Sequence, residues 1–206
     1  TFDSLNGVKT SDYALGDVLL RLGLTETLET FVNWTPLNIS AVKAGGNKVT
    51  EHATGSIGFG LKQSLKNPDG EGFSMAVEPA LAIPTNGDGV AFALALPASQ
   101  SLGPYWSVGI TPELDVLSNA LDGGYHMAGS VAVSLSRAIS SFELGAEIYL
   151  AANRDPTGTI HYATANFSLS WQPPKNENLS FDIGADVGLN DATADIEIYC
   201  GLSRRF

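Results

Sequence analysis

Nine carboxylates recur at alternate positions within segments whose intervening residues are apolar: Glu29, Glu78, Glu113, Asp115, Glu143, Glu147, Asp182, Asp186 and Glu197. Only Arg21, Lys62 and Arg205 share that face as cations. Carboxylates gathered on one wetted wall attract cations and repel anions, as charged rings do in channels. The chemistry expected is therefore electrostatic selection by a weakly cation-preferring pore lined by Arg21, Glu29, Lys62, Glu78, Glu113, Asp115, Glu143, Glu147, Asp182, Asp186 and Glu197. The competing expectation is that these acids pair with Arg21 and Lys62 and fill a narrow interior.

Other chemistries find little support. His126 and Ser130 are four apart and share a strand face, but no nucleophile elbow surrounds the serine, so no enzyme activity is expected. His52, His126 and His161 fall at the starts of strands without ligand spacing and read as solvated loop histidines, with no metal or cofactor. The lone Cys200 excludes an internal disulfide and reads as a small apolar residue. A net charge of −11 argues against nucleic acid, since phosphate binding needs clustered Lys and Arg.

The elements that must hold these carboxylates are strands. Leu179, Phe181, Ile183, Ala185, Val187 and Leu189 alternate with Ser180, Asp182, Gly184, Asp186, Gly188 and Asn190, a separation that no helix makes. The same code recurs at Phe142 to Leu150, Ala165 to Trp171, Trp106 to Val116, Ser130 to Ser136, Ile57 to Lys62 and Phe73 to Ile83. It is weaker at Val90 to Leu96, and it returns at Val18 to Leu24, Leu28 to Trp34 and Asp195 to Phe206. About eleven strands are visible, each about ten residues long, as transmembrane strands require. No stretch reaches the roughly 18 apolar residues of a membrane-spanning helix. The charged fraction of 16% is low for a chain bathed in water.

Alternation alone fits either a soluble barrel, apolar inside, or a membrane barrel, apolar outside. The polar positions carry Gly, Ser, Ala and acids, while Lys9, Lys43, Lys48, Lys66, Arg154 and Lys175 sit in connectors, which favours the membrane arrangement. Trp34, Tyr105, Trp106 and Trp171 lie near strand ends, where an interfacial girdle belongs. Connectors alternate between short turns, such as Thr25 to Thr27, and longer ones, notably Asn38 to Glu51 and Asn153 to Gly158. The fold expected is an all-β, antiparallel up-and-down transmembrane barrel over residues 1–206, as a single domain. An even strand count implies about 12 strands, with the twelfth preceding Thr1, and Thr1 to Asp12 forming an external loop. A soluble edge strand is the alternative. The first ten residues lack signal-peptide features, which suits a processed or truncated start.

Two resemblances follow. The last strand places Ile196, Ile198, Cys200, Leu202 and Phe206 on one face. It resembles the phenylalanine-ended signal that the barrel assembly machinery reads on bacterial outer-membrane proteins, although Arg204 stands where an aromatic is usual. The pieces LLRLGLTETLE (19–29), GSIGFGLKQSL (55–65), PALAIPT (79–85) and the terminal GLSRRF resemble the MetA-pathway of phenol degradation family, whose members are labelled transporters. That resemblance implies transport of small solutes, with hydrophobic or aromatic compounds suggested by the family label, and brings no catalytic residues. The expected partners are outer-membrane lipid, the assembly machinery and a small solute, with the chain a monomer. A structural or adhesive barrel with a filled lumen is the main alternative, and a lipid-modifying enzyme a lesser one.

Overall fold

In the computed structural model, which describes residues 1–5, 8–70, 72–85 and 89–206, alternation becomes one antiparallel sheet of sixteen strands. They are β1 (Phe2–Leu5), β2 (Val8–Leu15), β3 (Val18–Gly23), β4 (Leu28–Trp34), β5 (Leu37–Ala44), β6 (Asn47–Ala53), β7 (Ile57–Lys66) and β8 (Phe73–Ile83). These are followed by β9 (Ala91–Ala95), β10 (Ala98–Leu102), β11 (Trp106–Ser118), β12 (Tyr125–Ile139), β13 (Phe142–Asp155), β14 (Gly158–Trp171), β15 (Leu179–Gly188) and β16 (Ile196–Arg204). Among the described residues no helix is long and apolar enough to cross a membrane.

Sixteen strands replace the expected eleven visible and twelve in total, for two physical reasons. First, four traverses of the sheet are each broken in two at Gly16–Asp17, Thr35–Pro36, residues 54–56 and Leu96–Pro97. Pro36, Pro97 and Pro112 have no N–H to give a ladder, and Gly16 has φ +74°, so hydrogen bonding lapses locally. Register is nevertheless kept across every break. Leu15↔Leu37 and Val18↔Trp34 skip two residues on both strands, as do Ala95↔Glu113 and Ala98↔Ile110. Backbone bonds bridge the gaps, with Gly55 N donating to Thr35 O at 2.8 Å and Leu96 N to Pro112 O at 3.0 Å.

Second, segments expected to be loops are strands. Asn38 to Glu51 is not a connector but most of the β5–β6 hairpin, paired from Asn38↔Ala53 to Ala44↔Asn47. Its two turn residues, Gly45 and Gly46, have φ +55° and +88°, the backbone that a two-residue turn between right-twisted strands demands. Thr1 to Asp12 is likewise no loop. It holds β1 and half of β2, paired from Phe2↔Ser11 to Leu5↔Val8, while Asn6 and Gly7 between them lie outside the described residues. The Asn153 to Gly158 connector contracts to a tight turn, because β13 and β14 pair up to Asp155↔Gly158.

Each traverse pairs with the next along the chain, and β1 also meets β16 through Phe2↔Ile196. The central strands β11 to β14 run 13 to 15 residues, longer than the roughly ten that cross a bilayer. What the sheet lacks is a packed interior. Among the described residues the buried apolar ones are Ala76 and Ala95 alone, and no large side chain is fully buried.

Candidate functional site: the polar face of the sheet

Alternation gives the sheet an apolar face, carrying residues such as Ile110, Leu114, Val133, Leu144, Ile148, Phe167 and Ile183, and a polar face carrying the candidate carboxylates. The apolar face is exposed: Leu114 stands 56% and Phe167 59% accessible. At the end of the sheet that holds the β7–β8, β10–β11, β12–β13 and β14–β15 turns lie Phe73, Trp106, Phe142, Trp171 and Phe181. Trp171 stacks between Phe142, centroids 6.4 Å apart, and Phe181, 5.7 Å. Cations cover aromatics at the same end: Lys66 sits 5.3 Å from the Phe73 ring, Arg137 5.1 Å from Trp106 and Arg204 5.0 Å from Phe206. Trp106 and Trp171 occupy strand termini and Tyr105 a turn, as their positions in the sequence suggested, whereas Trp34 ends β4 at the Thr35–Pro36 break inside a traverse.

On the polar face the candidates fall into two groups. In the first, across β3, β4, β7 and β8, every charge is compensated. Arg21 bonds Glu29 at 2.7 Å, Glu29 lies opposite Lys62 in the ladder, and Lys62 bonds Glu78 at 2.9 Å. In the second, from β11 to β16, Glu113, Asp115, Glu143, Glu147, Asp182, Asp186 and Glu197 have no cationic partner among the described residues. The expected pairing with Arg21 and Lys62 thus covers Glu29 and Glu78 and leaves the other carboxylates of the polar face uncompensated among the described residues.

Register aligns the second group. Glu147 is opposite Asn166, Asn166 opposite Asp186, and Asp186 opposite Glu197, so four polar side chains form one row across β13 to β16. Asn166 Nδ2 donates to Asp186 Oδ1 and to Tyr199 Oη, both at 3.0 Å. The row extends through Ser134, Gly109, Ser99 and Ser74, with Ser74 and Ser99 hydroxyls 2.7 Å apart. A second row joins Glu143, Ser170, Asp182 and Gly201.

Glycines on this face are seats for neighbouring side chains. A Cβ on Gly60 would stand 2.1 Å from Phe31 Cζ, one on Gly58 2.0 Å from Asn33 Oδ1, and one on Gly184 2.3 Å from Tyr199 Oη. Phe31 and Tyr199 therefore lie across the polar face of the sheet, supported where the facing residue has no side chain. Neither was singled out from sequence. Tyr199 shares parity with Glu197 and Gly201, which was signal enough; Phe31 is an aromatic at a polar-face position, which alternation cannot anticipate.

The C-terminal candidates Ile198, Cys200 and Leu202 share the apolar face opposite Ala185, Ile183 and Phe181, while Phe206 lies beyond the end of β16 and is fully exposed. Among the described residues no group of three metal-ligating side chains occurs.

His126 departs from the solvated loop residue expected. Its side chain is 7% exposed, with Nδ1 3.0 Å from Asn119 Oδ1 and 3.4 Å from Asp155 Oδ2. It is the second residue of β12 and points to the polar side, where the 119–124 loop covers it. Asp155, at the β13–β14 hairpin tip beyond Leu150, the last large apolar residue on the apolar face of β13, organises this end. It accepts from the Thr157 hydroxyl and amide and from the Ala120 amide, and these bonds, with His126 nearby, lower its carboxyl to about 2. A depressed carboxyl contributes its bonds fully above its ordinary 3.8 and loses them as pH falls toward about 2. The Ala120 amide resonance should accordingly titrate with a midpoint near 2 rather than 3.8. Asp155→Asn should speed Ala120 amide exchange at neutral pH while the β13–β14 amides stay protected; unchanged exchange would show that the loop is held by other contacts.

No family model matches the chain, and no curated protein matches it.

Proposed function

We propose that this chain is a transmembrane β-barrel of a bacterial outer membrane, a channel or transporter that passes small solutes, cations by preference, through a hydrated acidic lumen. The observation that carries this reading is a single sheet with no packed core among the described residues. Its large apolar side chains stand exposed along one face, while the other bears seven uncompensated carboxylates. A soluble sandwich buries its apolar face against a second layer, whereas a barrel in lipid turns that face outward and encloses the polar one. Neighbour-to-neighbour pairing that returns from β16 to β1 supports the barrel. The aromatic and cationic residues gathered at the end with the β10–β11 and β12–β13 turns match an interfacial girdle with snorkelling side chains.

On this reading lipid is the main partner, Ile198, Cys200, Leu202 and Phe206 present the assembly signal, and the protein acts as a monomer without cofactor or catalytic step. The resemblance to the MetA-pathway of phenol degradation family rests on its short motifs alone and points to small hydrophobic or aromatic solutes.

A second reading, a structural or adhesive barrel with a filled lumen, draws support from Phe31 and Tyr199 lying across the wall on Gly60 and Gly184. Planar-bilayer recording separates the two. The channel reading expects stable single-channel steps with a reversal potential of the cation-selective sign under a salt gradient. Silence from a folded, heat-modifiable barrel would favour the filled lumen.

A further inference from the structure

The sheet has an open seam. β16 pairs with β15 along its length, but on its other side, among the described residues, it meets only β1, at Phe2↔Ile196. β3 pairs with β4 and, among the described residues, with nothing on its other side. Both strands show what an edge shows. All six residues of β3 are exposed, Leu19 and Leu20 on opposite faces alike, and in β16 only Tyr199 is partly covered. No Cα of β3 comes within 8 Å of a Cα of β16, whereas hydrogen-bonded strands lie about 4.8 Å apart. The gap is therefore at least one strand wide.

What enters the gap is written in the ladder above it. β1 is antiparallel to both β2 and β16, so it already occupies the upper part of the space. Thr1 extends that ladder: its carbonyl accepts from the Asp12 amide at 3.0 Å, and its nitrogen donates to the Asp12 carbonyl, as a strand amide would. Followed backward from Thr1, the chain direction leads between β3 and β16.

We propose that the seam takes one extended strand of the same polypeptide, the continuation of β1 ahead of Thr1, antiparallel to β16 in the register that Phe2↔Ile196 sets. This rests on the barrel reading of the pairings and is independent of solute passage. Within hydrocarbon, two facing rows of unpaired N–H and C=O groups are costly, and one strand satisfies both rows at once. Residues on that strand opposite Ile198, Cys200 and Leu202 share their outward face, which calls for apolar side chains there.

Cys200 supplies a register-specific test. In the proposed pairing it faces the third residue ahead of Thr1, at a Cα separation that a disulfide spans. The polypeptide as its gene encodes it, carrying a cysteine at that third residue, should lose both thiols to an intramolecular disulfide when oxidised in the folded state. A cysteine at the fourth residue, which points to the other face, should leave Cys200 free, as should the first variant combined with Cys200→Ser for its remaining thiol. Free thiols at both positions in a heat-modifiable barrel would overturn the strand and leave the barrel reading standing. Disulfide-linked dimers through Cys200 would overturn it in favour of a second copy, and a mature chain beginning at Thr1 would also overturn it. Loss of heat-modifiability in the unmodified protein would instead sink the barrel reading itself.

Discussion

Replacing Glu147, Asp186 and Glu197 together by Gln, Asn and Gln is expected to bring the reversal potential under a salt gradient most of the way to zero. The cation-to-anion permeability ratio should fall by about threefold or more. The three lie in one cross-strand row with Asn166, no cation neutralises them among the described residues, and the replacements keep their size. Conductance should persist, because nothing is added to the lumen. The matched control is Glu29→Gln with Arg21→Gln, which removes a mutually compensated pair 2.7 Å apart and should move the reversal potential little. An unchanged ratio in the triple variant, measured by single-channel recording, would place the permeation path away from β13 to β16.

The second large effect concerns the solvent on the apolar face. Phe167 is 59% accessible, on the apolar face of β14 and four residues from its Trp171 end. On a water-facing surface a change to arginine there would usually cost within about 0.5 kcal/mol. At the midplane of a bilayer the same change costs about 2–4 kcal/mol. Phe167→Arg is therefore expected to lower the stability of the protein folded in liposomes by the larger amount, read from urea titration. Ser130→Arg, on the polar face opposite Glu113, should cost less than about 1 kcal/mol. Equal, small effects at both positions would mean that water covers both faces, and the membrane assignment would fall.

The strands that carry the candidate carboxylates were legible because each has one apolar and one polar neighbour environment, and a period of two records that contrast. The run Leu179 to Asn190 is β15 with two residues to spare. β2 and β6 were illegible for the complementary reason. Their residues are largely exposed on both sides, so no contrast is imposed on the sequence. The β5–β6 hairpin did carry a local signal, the Gly45–Gly46 pair between Val42 and Val49, but its polar composition reads as a connector. Cross-strand matters lie beyond a one-dimensional pattern. That Glu147, Asn166, Asp186 and Glu197 share a row depends on register across three hairpins. That Glu78 finds Lys62 while Glu113 finds no cation depends on which strands are neighbours. His126 lies under a loop whose fold comes from Asn119, Asp122 and Asp155 together.

The contact between Phe2 and Ile196 also bears on how the molecule forms. Every other pairing joins traverses that follow one another in the chain, so each can zip onto its predecessor with a short loop to close and a small entropic cost. The exception links opposite ends of the sequence, which makes it the high-contact-order step and the one expected to govern the folding rate. Until the last strand arrives, any nascent sheet carries two free edges that can template on another chain. The time spent in that state, more than the stability of the finished sheet, sets the exposure of this protein to misassembly.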